Sequence, residues 1–379
     1  MRAGIRWLAL WLAMGAAFGA LCPVPGQTAL PNPFAAPKTG GEFLTTLGME
    51  LPGDGRRQIS SGFTLRLKLR SGEYPWRLYA DGAVRLSRLY QPGGRWQADG
   101  EMERLYTKAS FPALDVSLGR QEISWGLGYA WSPTDLFNPP DPLDPGGRRK
   151  GVDALVVQVP VGPLAYWSLV AARRPAPGSS WQAGMLRRGS SPGLDWALLA
   201  VGDSRESRAK GTAAIGGHIK LDRGASWTGE TACFLPPAGG SARCEVVLGI
   251  DYSWLYGHLI WREEYLYNSG GAETKEKYGE ALTAVAEGQL KYLARHYLYN
   301  QLTWQADQFT SVTASLITNL IDLSMVWTLT GRVYPASNWQ ILAALSGTAG
   351  RPGGEFTPSG SAGTAAPAPM VRMQVQYSF

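Results

Sequence analysis

The 379-residue sequence has three histidines, three cysteines and 17% charged residues, and from Gly41 onward it has no run of eighteen apolar residues. Without such a run, no helix beyond Gly41 spans a membrane. His218, His258 and His296 stand apart, none beside a nucleophile motif, and neither GxSxG nor HExxH occurs. The chain is therefore not expected to be an enzyme or to need a cofactor. No Lys/Arg-rich run marks it for nucleic acid. Asp135, Asp141 and Asp144 carry the oxygen donors that calcium takes, but their proline-broken spacing matches no calcium loop and they read as turn carboxylates, with no metal site.

What the sequence has in quantity is Gly (47), Pro (26), Trp (15) and Tyr (16), a turn-rich and aromatic-rich composition that does not suit a helical protein. The N-terminus is an address: Arg2 and Arg6 precede the apolar run from Trp7 to Leu21, the layout of a secretory signal. Cleavage before Ala20 and before Gln27 both fit, so residues 1–26 are assigned to the signal and the start of the leader, with the cut between 19 and 29. Cys22 follows Leu21 where a lipobox has Gly or Ala, which argues against lipidation. Residues 27–40 read as a flexible periplasmic leader and 41–379 as the folded unit. Export makes a disulfide between Cys233 and Cys244, across the turn-rich FLPPAGGSAR, plausible.

From Gly41 on, the dominant period is two. In SGFTLRLKLR, Phe63, Leu65, Leu67 and Leu69 alternate with Thr64, Arg66, Lys68 and Arg70, and TAAIGGHIKL, CEVVLGIDYSW, SVTASLITNL and MVRMQVQYSF repeat the pattern. A soluble sandwich would turn the apolar face inward, whereas a membrane barrel turns it to lipid and the polar face to a wet interior. Segment lengths of ten or more suit a tilted bilayer crossing, and aromatics gather near segment ends, among them Trp76, Tyr90, Trp254, Tyr267, Trp304 and Trp339. The expected fold is all-β: a transmembrane, antiparallel, up-and-down β-barrel of eighteen strands, or sixteen if one hairpin is merged.

Strand parity supplies an independent check. With strand one running outward, the long connections at 128–150, 233–244, 269–290 and 348–369 all fall on the extracellular side. The short ones at Gly162-Pro163, Gly257 and Pro335-Ala336-Ser337 fall on the periplasmic side, as barrels require. The strand before 128–150 is read as 114–127 and the one after 269–290 as 291–306.

The inward faces then contribute Arg66, Lys68, Arg70, Arg77, Arg85, Lys220, Arg262, Arg295, Arg332 and Arg372, against Asp81, Asp115, Glu245, Asp251 and Glu264. Rings of Arg and Lys favour anions, while inward charges also need partners whatever passes.

Two stretches carry resemblances. The last ten residues, with Val375, Tyr377 and the terminal Phe379 on one face, resemble the closing-strand signal of bacterial outer-membrane proteins, which implies recognition by the barrel-assembly machinery. Residues 119–154, GRQEISWGLGYAWSPTDLFNPPDPLDPGGRRKGVDAL, resemble a stretch of porin-like outer-membrane barrels, including relatives of alginate-export barrels. That resemblance implies a single-chain barrel in the outer-membrane lipid and passive diffusion of small hydrophilic solutes, anionic ones if the inward Arg and Lys set the preference, or else a polysaccharide export duct or anchor working with periplasmic partners. It leaves monomer and trimer open. The proline-stiffened loop 128–150 is expected to fold inward as a constriction, with Arg148, Arg149 and Lys150 facing its own Asp135, Asp141 and Asp144.

Overall fold

The computed structural model describes residues 37–51, 57–91, 94–141, 143, 149, 151–174, 180–204, 213–235, 242–286, 290–357 and 369–379. The signal and most of the leader lie outside them. Eighteen strands form one antiparallel sheet: β1 (Lys38–Glu50), β2 (Gln58–Ser71), β3 (Trp76–Tyr90), β4 (Gln97–Ser110), β5 (Asp115–Gln121) and β6 (Val152–Gly162) come first. Next are β7 (Ala165–Arg174), β8 (Ser180–Ser191), β9 (Leu194–Asp203), β10 (Ala213–Arg223), β11 (Ala225–Leu235) and β12 (Arg243–Trp254). The last six are β13 (Leu259–Asn268), β14 (His296–Gln305), β15 (Thr310–Asn319), β16 (Met325–Ala336), β17 (Trp339–Ala349) and β18 (Met370–Ser378). Each strand pairs with its neighbours in sequence, and β1 with β18 closes the barrel. A short helix, α1 (Tyr278–Ala286), lies in the β13–β14 connection.

The alternation in the sequence becomes the two faces of this wall. Phe63, Leu65 and Leu67 point outward and are exposed, while Arg66 between them is buried inside. Pairing the first strand with the last leaves the sheet without an edge strand, and beside the short β5 a stretch of β4, residues 97–104, lacks a partner strand on one side among the described residues. The outward aromatics form a belt. Trp167, Trp196, Trp227 and Trp261 each occupy the third residue from the short-turn end of β7, β9, β11 and β13. A tryptophan there presents an apolar ring to lipid and its N–H to the interface. Leu198, mid-strand in β9, is 64% exposed on the same face. Leu198→Lys should cost about 2–4 kcal/mol if it lies at the bilayer midplane. Urea titration of the protein folded into liposomes would show it.

The closing seam rests on one small residue. Gly41 and Phe379 exchange both backbone hydrogen bonds, at 2.8 and 3.0 Å. A Cβ on Gly41 would lie 2.5 Å from the Arg66 carbonyl oxygen and 2.6 Å from the Phe379 ring. Val375 and Tyr377 sit on the outward face of β18, opposite Thr45 and Phe43. Cys233 and Cys244 face each other across β11 and β12 and are joined as a disulfide.

Three boundaries differ from the sequence reading. β1 begins at Lys38 rather than Gly41, because Lys38 to Gly40 still pair with β2. β14 begins at His296, because residues 291–295 belong to the connection. β5 stops at Gln121 instead of 127, because the next residues find hydrogen-bond partners elsewhere than in a neighbouring strand.

Candidate functional site

After Gln121 the chain leaves the wall and enters the barrel. A backbone N–H buried away from water needs an acceptor, and outside a sheet that acceptor must be a side chain or water. Here side chains supply it at every second residue. Ile123 N–H donates to Asn138 Oδ1 at 2.7 Å, Trp125 N–H to Asp135 Oδ1 at 2.7 Å, and Leu127 N–H to Glu230 Oε2 at 2.9 Å. Asn138 and Asp135 belong to the same loop, while Glu230 comes from the inner face of β11.

Two wall carboxylates hold the loop. Glu230 accepts five donors: Leu127 and Gly128 N–H on Oε2, and Thr134 N–H, Thr134 Oγ1 and Ser132 Oγ on Oε1, at 2.7 to 3.0 Å. A carboxylate offers about four lone-pair directions, so this one is saturated. Glu264, on the inner face of β13, accepts the consecutive N–H groups of Tyr129, Ala130 and Trp131 at 2.5, 2.8 and 3.3 Å. Hydrogen bonds to an ionised acceptor are roughly twice as strong as neutral ones.

Apolar packing does the rest. Trp125, Leu136 and Phe137 sit against Ala154, Val156, Val170, Ala172, Leu186 and Leu199 of the inner wall. Trp131, 1% exposed, packs with Ala130 against Val247, Leu266, Tyr297 and Tyr299. Every residue from Trp131 to Asn138 is buried. The loop therefore lines the barrel from β6 round to β15. Its ends are clamped where Arg120 meets Asp153 in a bidentate pair at 2.8 and 3.0 Å across β5 and β6.

These contacts account for several residues of the 119–154 stretch. Gly128 lets the chain double back, since a Cβ there would lie 1.7 Å from the Trp131 carbonyl oxygen. Gly126 makes room for Ser132 Oγ and Glu230. Asp135 accepts from Trp125 N–H and Ser124 Oγ and pairs with Arg149. Burial pushes its carboxyl up, against the pull of Arg149 and the Trp125 N–H.

Most of the basic residues expected inside are inside. Arg66, Lys68 and Arg70 share one face of β2, opposite Glu42 on β1 and Asp81 and Tyr79 on β3. Arg77 and Arg85 lie on that face of β3, Lys220 on β10, Arg262 on β13, Arg332 on β16 and Arg372 on β18. Arg295 does not line the wall. It precedes β14, and its guanidinium holds the connection through Ser269 and Gly271 carbonyls and Glu273. Asp141 accepts from Leu143 N–H, and Asp144, Arg148 and Lys150 lie outside the described residues.

The acidic side of the wall is larger than the residues expected from the sequence. Glu42, Glu101, Glu103 and Glu230 also face inward. A bulge at Glu103 puts it and Arg104 on the inner side together. Arg66, Arg85, Glu42, Glu101 and Glu103 form one ion network. Arg262 is bidentate to Asp251 and lies 4.2 Å from the Tyr129 ring centroid. Between loop and wall is a polar cavity of about 260 Å³, lined in part by Tyr129, Asp141, Arg149, Asp251 and Arg262. On the outer side, Glu355 accepts from Tyr297 Oη and Asn319, and burial pushes its carboxyl up against those donors.

No family model matches the chain, and no curated protein matches its sequence. Solved structures do match. Pseudomonas aeruginosa OccK5 (OpdH) aligns with a TM-score of 0.57 at 10% identity over 90% of this chain and 98% of that one. Acinetobacter baumannii OccAB3 aligns at 0.57 and 10% over 91% and 99%, and Pseudomonas aeruginosa OccK7 (OpdD) at 0.55 and 12% over 91% and 99%. The chain has a porin-type β-barrel fold. At such identity the likeness is one of fold.

Glu230 and the apolar inner wall were missed in the sequence. For Glu230 there was no local signal, since its partners lie about a hundred residues away. The wall did leave one. ALVVQV in β6, SLVAA in β7 and WALLAV in β9 are apolar on both faces, which a strand lining water is not.

Proposed function

We propose that this chain is an outer-membrane channel for passive diffusion of small hydrophilic solutes, narrowed by the segment 122–141 folded against one side of its lumen. The observation that carries the reading is the set of eight loop donors gathered by Glu230 and Glu264, which fixes the loop inside a transmembrane barrel of porin type. On the other side, Arg70, Arg77 and Arg372 face inward yet are exposed, as expected of a water-filled lumen. The short-turn end would face the periplasm, the N-terminal signal would direct export, and Val375, Tyr377 and Phe379 would be read by the barrel-assembly machinery.

Anion preference belongs to the same proposal. The inward acids are largely committed: Glu230 and Glu264 to the loop, Glu42 and Glu103 to Arg66, Asp115 to Lys108, Asp251 to Arg262. Arg70, Arg77, Arg332 and Arg372 have no acidic partner among the described residues, which leaves four wall cations available to a passing anion. Folded protein in planar bilayers should give discrete conductance steps, and their absence would sink the channel. Under a salt gradient the reversal potential should report anion preference. Replacing Arg332 and Arg372 together by Gln should move it toward zero, and cation preference in the unmodified protein would end this part of the reading. Lost polymer secretion with solute uptake intact would point to an export duct instead.

A further inference from the structure

The outward face of the barrel carries two charges that the lipid does not account for. Among the described strand residues, Arg187 and Glu263 are the charged side chains that face outward more than two residues from a strand end. Arg187 shares its face of β8 with the exposed Met185, while its neighbour Leu186 is buried inside. Glu263 shares its face of β13 with Trp261 and Tyr265, between the inward Arg262 and Glu264.

Neither charge is satisfied by the described residues. Arg187 stacks on Trp167, its directly opposite residue on β7, but its buried Nη1 has no hydrogen-bond partner. Glu263 lies opposite Ile250 and Asn300 and makes no hydrogen bond or ion pair with a described residue. Arginine at the level of the tryptophan belt can extend its stem toward headgroups. A carboxylate on two methylenes, one outward step further into the membrane than Trp261, cannot do the same. Unpaired charge on a lipid face is costly, and such residues in membrane proteins usually meet a partner.

The two are matched in depth as well as in sign. Arg187 lies four residues before the short-turn end of β8, at Ser191, and Glu263 four residues after that of β13, at Leu259. Five strand steps of eighteen set their faces about 100° apart around the barrel. That lies between the angles at which rings of about four and five copies close, and about two strands from that for three.

We infer that copies of this chain pack side by side in the membrane, the Arg187 face of one against the Glu263 face of the next, in a small closed ring. The contact is head-to-tail, so each copy gives one Arg187 and one Glu263 and no charge is left over. It requires only the membrane-spanning barrel and is independent of what the lumen carries.

Charge exchange tests it directly. In phospholipid nanodiscs the unmodified protein should have the mass of several copies. Arg187→Glu and Glu263→Arg should each reduce it to one copy, and the double exchange should restore the assembly. Heat-dependent gel mobility verifies that each variant is a folded barrel. Oxidising the Arg187→Cys, Glu263→Cys double variant in membranes should give a ladder of covalent oligomers, and either cysteine alone should give none. A single-copy mass for the unmodified protein together with no ladder overturns the inference. So does a dimer cross-linked through Cys at 263 alone, which would mean a two-fold contact, or folded double-exchange protein that stays at one copy.

Discussion

Replacing both Glu230 and Glu264 by Ala should release the loop and raise single-channel conductance about twofold or more. The estimate compares two opposing contributions. The four large apolar anchors of the loop, Trp125, Trp131, Leu136 and Phe137, each contribute about 1.5–3 kcal/mol by burial. Their sum is offset by the ordering of some twenty residues, at roughly 1 kcal/mol or more each. The two carboxylates tip that balance. Without them eight donors stay buried and unpaired, at about 1–3 kcal/mol apiece, which exceeds the ~5.5 kcal/mol that takes a two-state equilibrium from 99:1 to 1:99. Water can satisfy those donors only if the loop leaves the wall. Glu264→Ala alone removes three acceptor contacts and Glu230→Ala five, so the second should have the larger effect. Hydrogen exchange at residues 123–134 should rise in parallel. Unchanged conductance and exchange in the double variant would show that apolar packing alone retains the loop.

Gly128→Ala should reach the same open state by a steric route. The added methyl would lie 1.7 Å from the Trp131 carbonyl oxygen and 2.8 Å from its carbonyl carbon. Those are backbone atoms of the same tight turn, so no rotamer change relieves the overlap and the turn must open. Opening it pulls the N–H groups of Tyr129, Ala130 and Trp131 away from Glu264. Gly100→Ala is the matched control, because nothing lies within 4 Å of a Cβ there. Conductance should rise with the first and stay unchanged with the second, while both proteins keep the heat-dependent mobility of a folded barrel. A Gly128→Ala channel with unmodified conductance would mean that the loop does not set the narrowest point.

The order of these effects explains what was readable before the structure. Period-two alternation is local: each residue's face follows from its neighbours, so Arg66, Lys68 and Arg70 could be placed inside and Phe63, Leu65 and Leu67 outside from ten residues of sequence. Strand count and the side of each long connection follow from the same pattern plus parity. Arg295 failed because alternation was extended past the strand, into a stretch whose carbonyls it caps. Glu103 was missed for a related reason. It sits at a bulge, where an extra residue breaks the period that would have placed it.

By itself, then, the sequence determined a membrane barrel of eighteen strands or sixteen, its closing strand, and a loop too rich in proline to join the sheet. Only the tertiary structure decided where that loop goes. Its donors meet Glu230 and Glu264 across 96 to 135 residues of chain, a separation at which no local period survives. The barrel's curvature brings the inner faces of β11 and β13 opposite the strand end at Gln121. Once there, buried N–H groups that have left the sheet need acceptors, and those two carboxylates provide them.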